Sequence, residues 1–98
     1  RKIKVPIYGI WGCLKNKNPE KLIRNFQGNF KKLVTIKIPD EPNSSNPDEL
    51  KRIAVENGFN STSSRSIRQA LNSIPKNKRC IVVIFGSLYL AGYVLRIN

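Results

Sequence analysis

The chain has 98 residues, enough for one domain with a modest core that buries about 60–65% of the surface its unfolded form exposes. Eighteen Lys and Arg against six Asp and Glu give a net charge of +12 and a pI near 10.3, which brings nucleic acid forward as a partner. The stretch Ile81–Leu95 falls short of the ~20 apolar residues a bilayer helix needs and is broken by Gly86-Ser87, while the lack of His and of any Cys-x-x-Cys pair leaves a metal site without support.

In chain order, Ile3, Val5 and Ile7 alternate with basic residues before Tyr8-Gly9-Ile10, which predicts a first strand near a sheet edge. Asn18-Pro19-Glu20 reads as a helix start: Asn caps, Pro fits the first helical position and Glu complements the dipole. Leu22, Ile23, Phe26 and Phe30 recur at helical spacing, with Gly28 near the end. Leu33–Ile38 predicts a second strand, stopped by Pro39. A turn-rich loop over 39–46 leads into a second cap, Asn46-Pro47-Asp48-Glu49, and a helix whose stripe is Leu50, Ile53 and Ala54, closed by Gly58. Residues 59–64 are polar and extended. A third helix over 64–74 places Ile67, Ala70, Leu71 and Ile74 on one face, with Arg65, Arg68 and Gln69 outside, and Pro75 ends it. The apolar, mostly β-branched run Ile81–Phe85 predicts a strand buried on both faces, and Gly86-Ser87 is expected to turn the chain into a final apolar helix.

This alternation predicts an α/β fold: a mostly parallel, Rossmann-like, three-layer sheet flanked by helices. The ends at Ile10-Trp11-Gly12, Pro39-Asp40-Glu41 and Gly86-Ser87 then share one edge, where open α/β sheets bind ligands. Ser87 is a candidate to hold a carboxylate or phosphate, against the alternative of an N-cap that serves only its own helix. Gly86 either admits a close backbone approach or makes the turn. Lys15 and Lys17 are candidates for a polyanion, or simply solvated loop lysines. Trp11 either stacks on a ring or anchors a loop, and the Pro-flanked Asp40 and Glu41 do not form an acid–base pair.

Cys13 follows one strand and Cys80 begins another, so they lie at opposite edges of the sheet, beyond the ~7 Å that a disulfide tolerates between Cα atoms, and read as small apolar residues of a reducing compartment. The basic residues form no long run, and eleven Lys, eleven Asn and twelve Ile point to an AT-rich genome, both of which weigh against nucleic-acid binding.

Two stretches carry a more specific signal. Gly86-Ser87-Leu88-Tyr89-Leu90-Ala91-Gly92, followed by Val94-Leu95, resembles the closing motif of the folylpolyglutamate synthases and bifunctional dihydrofolate synthases, a branch of the Mur-ligase-like family. Gly12-Cys13-Leu14-Lys15-Asn16-Lys17-Asn18 resembles that family's Gly-Met-Leu-x-Asp-Lys-Asp segment, and between them Val34–Pro39 and Asp48-Glu49-Leu50 sit where the family has a strand ending in Pro and then a helix. In the chain Asn16 and Asn18 replace both acids, and Tyr93 replaces a Glu. The absence of His means that the family's upstream Asp-Gly-Ala-His-Asn-Pro motif has no counterpart here, and no Gly-x-x-x-x-Gly-Lys-Ser/Thr phosphate loop occurs.

The resemblance implies a single partial domain over 1–98: the carboxy-terminal domain of such a ligase, lacking its first strand and helix. The absence of Met and the abrupt start at Arg1-Lys2 fit that expectation. It implies a cytoplasmic enzyme in which ATP phosphorylates the carboxyl of a folate or pteroate and the amine of L-glutamate attacks the acyl phosphate, with ATP and Mg²⁺ held mainly by the missing domains. Ser87 and Gly86 match the position that helps hold glutamate, and Lys15 and Lys17 lie where nucleotide or a polyglutamate tail would approach. The implied partners are the rest of the ligase, L-glutamate and folate. With no nucleophile, base or metal cluster, the fragment is expected to be inactive alone. A small basic nucleic-acid-binding module and a non-functional remnant of the ligase stay open as alternatives.

Overall fold

The computed structural model describes residues 5–76, 79–86 and 93–97, the last of these as backbone. The elements are β1 (Ile7–Gly12), α1 (Pro19–Arg24), β2 (Lys32–Thr35), α2 (Pro47–Glu56), β3 (Ser61–Ser63), α3 (Ile67–Asn72), β4 (Cys80–Gly86) and β5 (Tyr93–Ile97). They form one sheet in the order β3-β2-β1-β4-β5, with four parallel strands and β5 antiparallel to β4.

Strand alternation sends side chains to two separate cores. Tyr8, Ile10, Val34, Ile36, Cys80 and Val82 meet Ala70 and Ile74, with Ile67 and Leu71 packed alongside, so α3 covers this face. Trp11, Cys13 and Leu33 meet Ile23 of α1 and Leu50 and Ala54 of α2 on the other. Phe85 joins that second layer through ring contacts with Trp11, Phe26 and Phe30, at centroid separations of 6.3, 4.8 and 5.6 Å. Each such pair contributes about 0.5–1.5 kcal/mol beyond the area it buries.

The helices start where the caps were expected. Asn18 Oδ1 accepts from the Lys21 amide at 3.1 Å and Asn46 Oδ1 from Asp48 at 2.7 Å, each followed by Pro at the first helical position. Helix α2 closes as predicted beside Gly58, whose φ of +89° is left-handed backbone that glycine adopts without strain. Ser66, with its side chain accepting from the Gln69 amide, starts α3 two residues later than expected.

Two expectations are corrected, on the first strand and the final helix, and the extended stretch 59–64 is borne out as a strand. The first strand is not near an edge: β1 lies between β2 and β4, because its neighbours are set by long-range pairing and its own alternation with Lys says nothing of them. The extended stretch 59–64 contributes a true edge strand, β3, paired with β2 through Leu33–Ser61 and Thr35–Ser63. The final helix is not formed over 93–97. That segment is β5, whose amides and carbonyls satisfy the outer edge of β4, and its Tyr, Val, Leu and Ile suit a strand at least as well as a helix. Residues 87–92, including Ser87, lie outside the described residues.

From β1 the chain steps outward to β2 and β3 with α1 and α2 on one face; it then returns through α3, on the other face, to β4 beside β1. Right-handed crossovers require this change of face when the direction of winding reverses. The reversal makes the β1–β4 boundary the topological switch point, whose carboxyl-end crevice is where doubly wound sheets hold ligands.

Candidate functional site

Both sequence segments singled out above leave the sheet at this switch point. Gly12 and Gly86 are cross-strand partners at the carboxyl ends of β1 and β4. A Cβ on Gly86 would stand 2.6 Å from the Gly12 carbonyl oxygen, so the glycine is required by the approach of one backbone to the other. A Cβ on Gly12 would stand 2.9 Å from Cγ1 of Ile38, a side chain rather than backbone, but one that is β-branched and must shift to admit it. Of the two roles weighed for Gly86, close approach is the one its surroundings impose, and the neighbour is β1 itself.

The loop after β1 is fastened to the loop after β2. Ser45 donates its amide to the Cys13 carbonyl at 2.7 Å, Lys15 donates to Asn43 at 2.8 Å, and Leu14 and Ser44 form an antiparallel bridge. Buried Ser44 adds a side-chain hydrogen bond, its hydroxyl oxygen accepting from the Ile38 amide at 2.8 Å. Polar loops at a sheet edge are thereby held without a hydrophobic core of their own, their backbone groups satisfied by one another. Lys15 and Lys17 stand exposed on this fastened loop. Their amides are already engaged, Lys17 with the Leu14 carbonyl at 3.2 Å, so an anion arriving here meets ammonium groups rather than a cradle of backbone N–H groups.

Trp11 is placed differently from either expectation. It belongs to β1 itself, is fully buried, and stacks on Phe85 at an interplanar angle of 13°. Its ring is part of the core and is not offered to a ligand. Its indole N–H has no acceptor among the described residues, an arrangement that costs about 1–3 kcal/mol. Asp40 turns the chain at a left-handed φ of 58°, and the Glu41 carboxylate accepts from the Asn43 amide at 3.2 Å; they shape the loop and form no pair. Cys13 and Cys80 are both buried, in the cores on opposite faces of the sheet and at opposite ends of their strands.

A concavity that the sequence did not signal opens at the end of β3, away from the switch point. Pro47, Asp48, Ser63, Ser64, Arg65 and Gln69 line a cleft of about 370 Å³ between the starts of α2 and α3. The Ser63 hydroxyl donates to Asp48 at 2.7 Å and Gln69 accepts from the Arg65 amide at 2.7 Å. It lies beyond β2, on the far side of β1 from the switch point. Among the described residues, no three of His, Cys, Asp or Glu come together as metal ligands, and no helix is long and apolar enough to cross a membrane.

No protein-family model, curated protein or solved structure matches the chain.

Proposed function

We propose that this chain is the carboxy-terminal domain of a folylpolyglutamate synthase or bifunctional dihydrofolate synthase, a cytoplasmic ligase that joins L-glutamate to a folate or pteroate. The observation that carries the reading is a coincidence of sequence and topology. The two segments that resemble the ligase family, 12–18 and 86–92, leave neighbouring strands at the switch point, beginning at the cross-strand pair Gly12–Gly86.

In this reading the Ser87 hydroxyl donates to a carboxylate of glutamate, and Gly86 holds the end of β4 against β1 so that the segment after it starts from a fixed position. Lys15 and Lys17 lend positive charge to the phosphates of ATP or to the tail of a polyglutamate. Their exposure and their lack of a carboxylate partner among the described residues fit that task. ATP supplies the phosphoryl group that activates the folate carboxyl, and Mg²⁺ and the phosphate loop belong to the rest of the enzyme. Docking this domain over the substrates excludes water from an activated carboxyl, a task that a separate, closing domain performs well.

The test is complementation. Co-expressed with a folylpolyglutamate synthase deprived of its own carboxy-terminal domain, the chain is expected to restore growth of a folate-ligase-deficient strain, and Ser87→Ala to reduce that rescue by about tenfold or more. Failure of the wild-type chain, with the protein shown to be folded and present, would favour a non-functional remnant.

A further inference from the structure

The basic residues are scattered along the sequence, but the fold sorts charge by layer. All six carboxylates fall between Glu20 and Glu56, in α1, the loop before α2, and α2 itself. The ion pairs of the described residues are there too, Arg24 with Glu20 and Arg52 with Glu49 and Glu56. Residues 57–98 contain six Lys and Arg and not one Asp or Glu. The segment that builds and flanks α3 is therefore cationic, and the carboxylate that comes beside it is Asp48 of α2, which lines the cleft with Arg65.

On and beside α3, Arg65, Arg68 and Lys76 are exposed, and none has a carboxylate partner among the described residues. Arg68 and Asn72 are exposed on α3, apart from the buried Ala70 and Ile74; Arg65 precedes the Ser66 cap, and Lys76, beyond the helix, donates to Asn72 at 3.0 Å. Between the cations lie Ser66, Gln69, Asn72 and Ser73, all exposed and all capable of hydrogen bonds. The exposed large hydrophobic residue of the described chain, Val55, is on α2.

We infer that the α3 face is a docking surface for a nucleic-acid phosphate backbone. The absence of apolar anchors from the described part of this face decides between polyanions. A protein interface is built around buried aromatic and aliphatic anchors, and a membrane-surface helix needs an apolar side to insert. Phosphate backbones need only spaced cations and neutral donors, with Arg the preferred cation. Among the described residues no aromatic ring and no recognition helix stands on the face, so binding is independent of base sequence.

The experiment is fluorescence anisotropy with a labelled mixed-sequence DNA duplex of about 20 base pairs, titrated over a range of NaCl, for the wild-type chain and two variants of matched charge. The expected result is a steep fall of affinity with salt, and for R65Q/R68Q/K76Q a slope of log K against log salt shallower by about 0.9 for each phosphate that the variant no longer neutralises. K21Q/K31Q/K51Q, with the same charge removed elsewhere, should keep a slope closer to wild type. If the threefold variant does not fold by circular dichroism, R68Q/K76Q carries the same prediction at about two-thirds of the size. Three results would overturn the inference: no duplex binding at low salt, equal slope changes in both variants, or binding to phosphatidylserine vesicles in preference to the duplex. None of these outcomes depends on ligase activity.

Discussion

Gly86 illustrates how one residue can be fixed by a contact that its neighbours in sequence do not reveal. The 2.6 Å separation between a Cβ there and the Gly12 carbonyl oxygen is against backbone, which cannot rotate out of the way. Gly86→Ala is accordingly expected to cost about 2–3 kcal/mol in urea unfolding, whereas Gly12→Ala, opposed by the Ile38 side chain rather than by backbone, should cost less, about 1–2 kcal/mol. Equal costs would mean that the close approach of β1 and β4 is not what selects glycine. At the same scale, Glu49 carries the clearest pH signal. A hydrogen bond from the Arg52 side chain holds its carboxyl below the ordinary carboxylate range, slight desolvation opposes this, and the guanidinium charge adds to it. Because the folded-state value is depressed, its contribution to stability is present above the unfolded pKa and is lost as pH falls through the lowered one. Glu49→Gln should flatten that part of the acid limb in a plot of Tm against pH.

The helices show what an element's own sequence can specify. Asn18-Pro19-Glu20 and Asn46-Pro47-Asp48 are complete start signals, and both caps form. Asn18→Ala and Asn46→Ala are each expected to cost about 1 kcal/mol by thermal unfolding. Asn18→Asp should keep the cap and add about 0.3–1 kcal/mol through the helix dipole. The strands were less legible. The stretch 87–97 after β4 is mostly apolar, with Ser87 and Arg96 as its polar residues, and so nearly continuous an apolar run carries neither a clear period of two nor one of 3.6, so residues 93–97 could not be read as β5 from periodicity. What decides that segment is the unpaired edge of β4 and the antiparallel partner it accepts.

At the scale of the whole molecule, the fold class was legible and the order of the strands was not. Alternating strands and helices dictate a parallel α/β sheet, but the position of β1 in its centre depends on pairings with β2 and β4 that are far apart in sequence. The same holds for the site. Gly86 and the lysines of the first loop could be chosen from turn chemistry and charge, whereas the fastening of Cys13–Lys15 to Asn43–Ser45 joins two ordinary polar loops and only the folded chain brings them together. Trp11 looked like a loop residue because Gly12 follows it; the sheet buries it against Phe85 instead.

The central claim is that the β1–β4 switch point is the edge that meets substrate. It is tested most directly by titrating the ¹⁵N-labelled chain with L-glutamate and MgATP while recording amide chemical shifts. The largest changes are expected at Gly12, Lys15, Lys17, Gly86 and Ser87, while amides of the cleft around Asp48, Ser64 and Arg65 stay in place. Shifts concentrated in that cleft, or none at Gly86 and Ser87 at saturating glutamate, would contradict it.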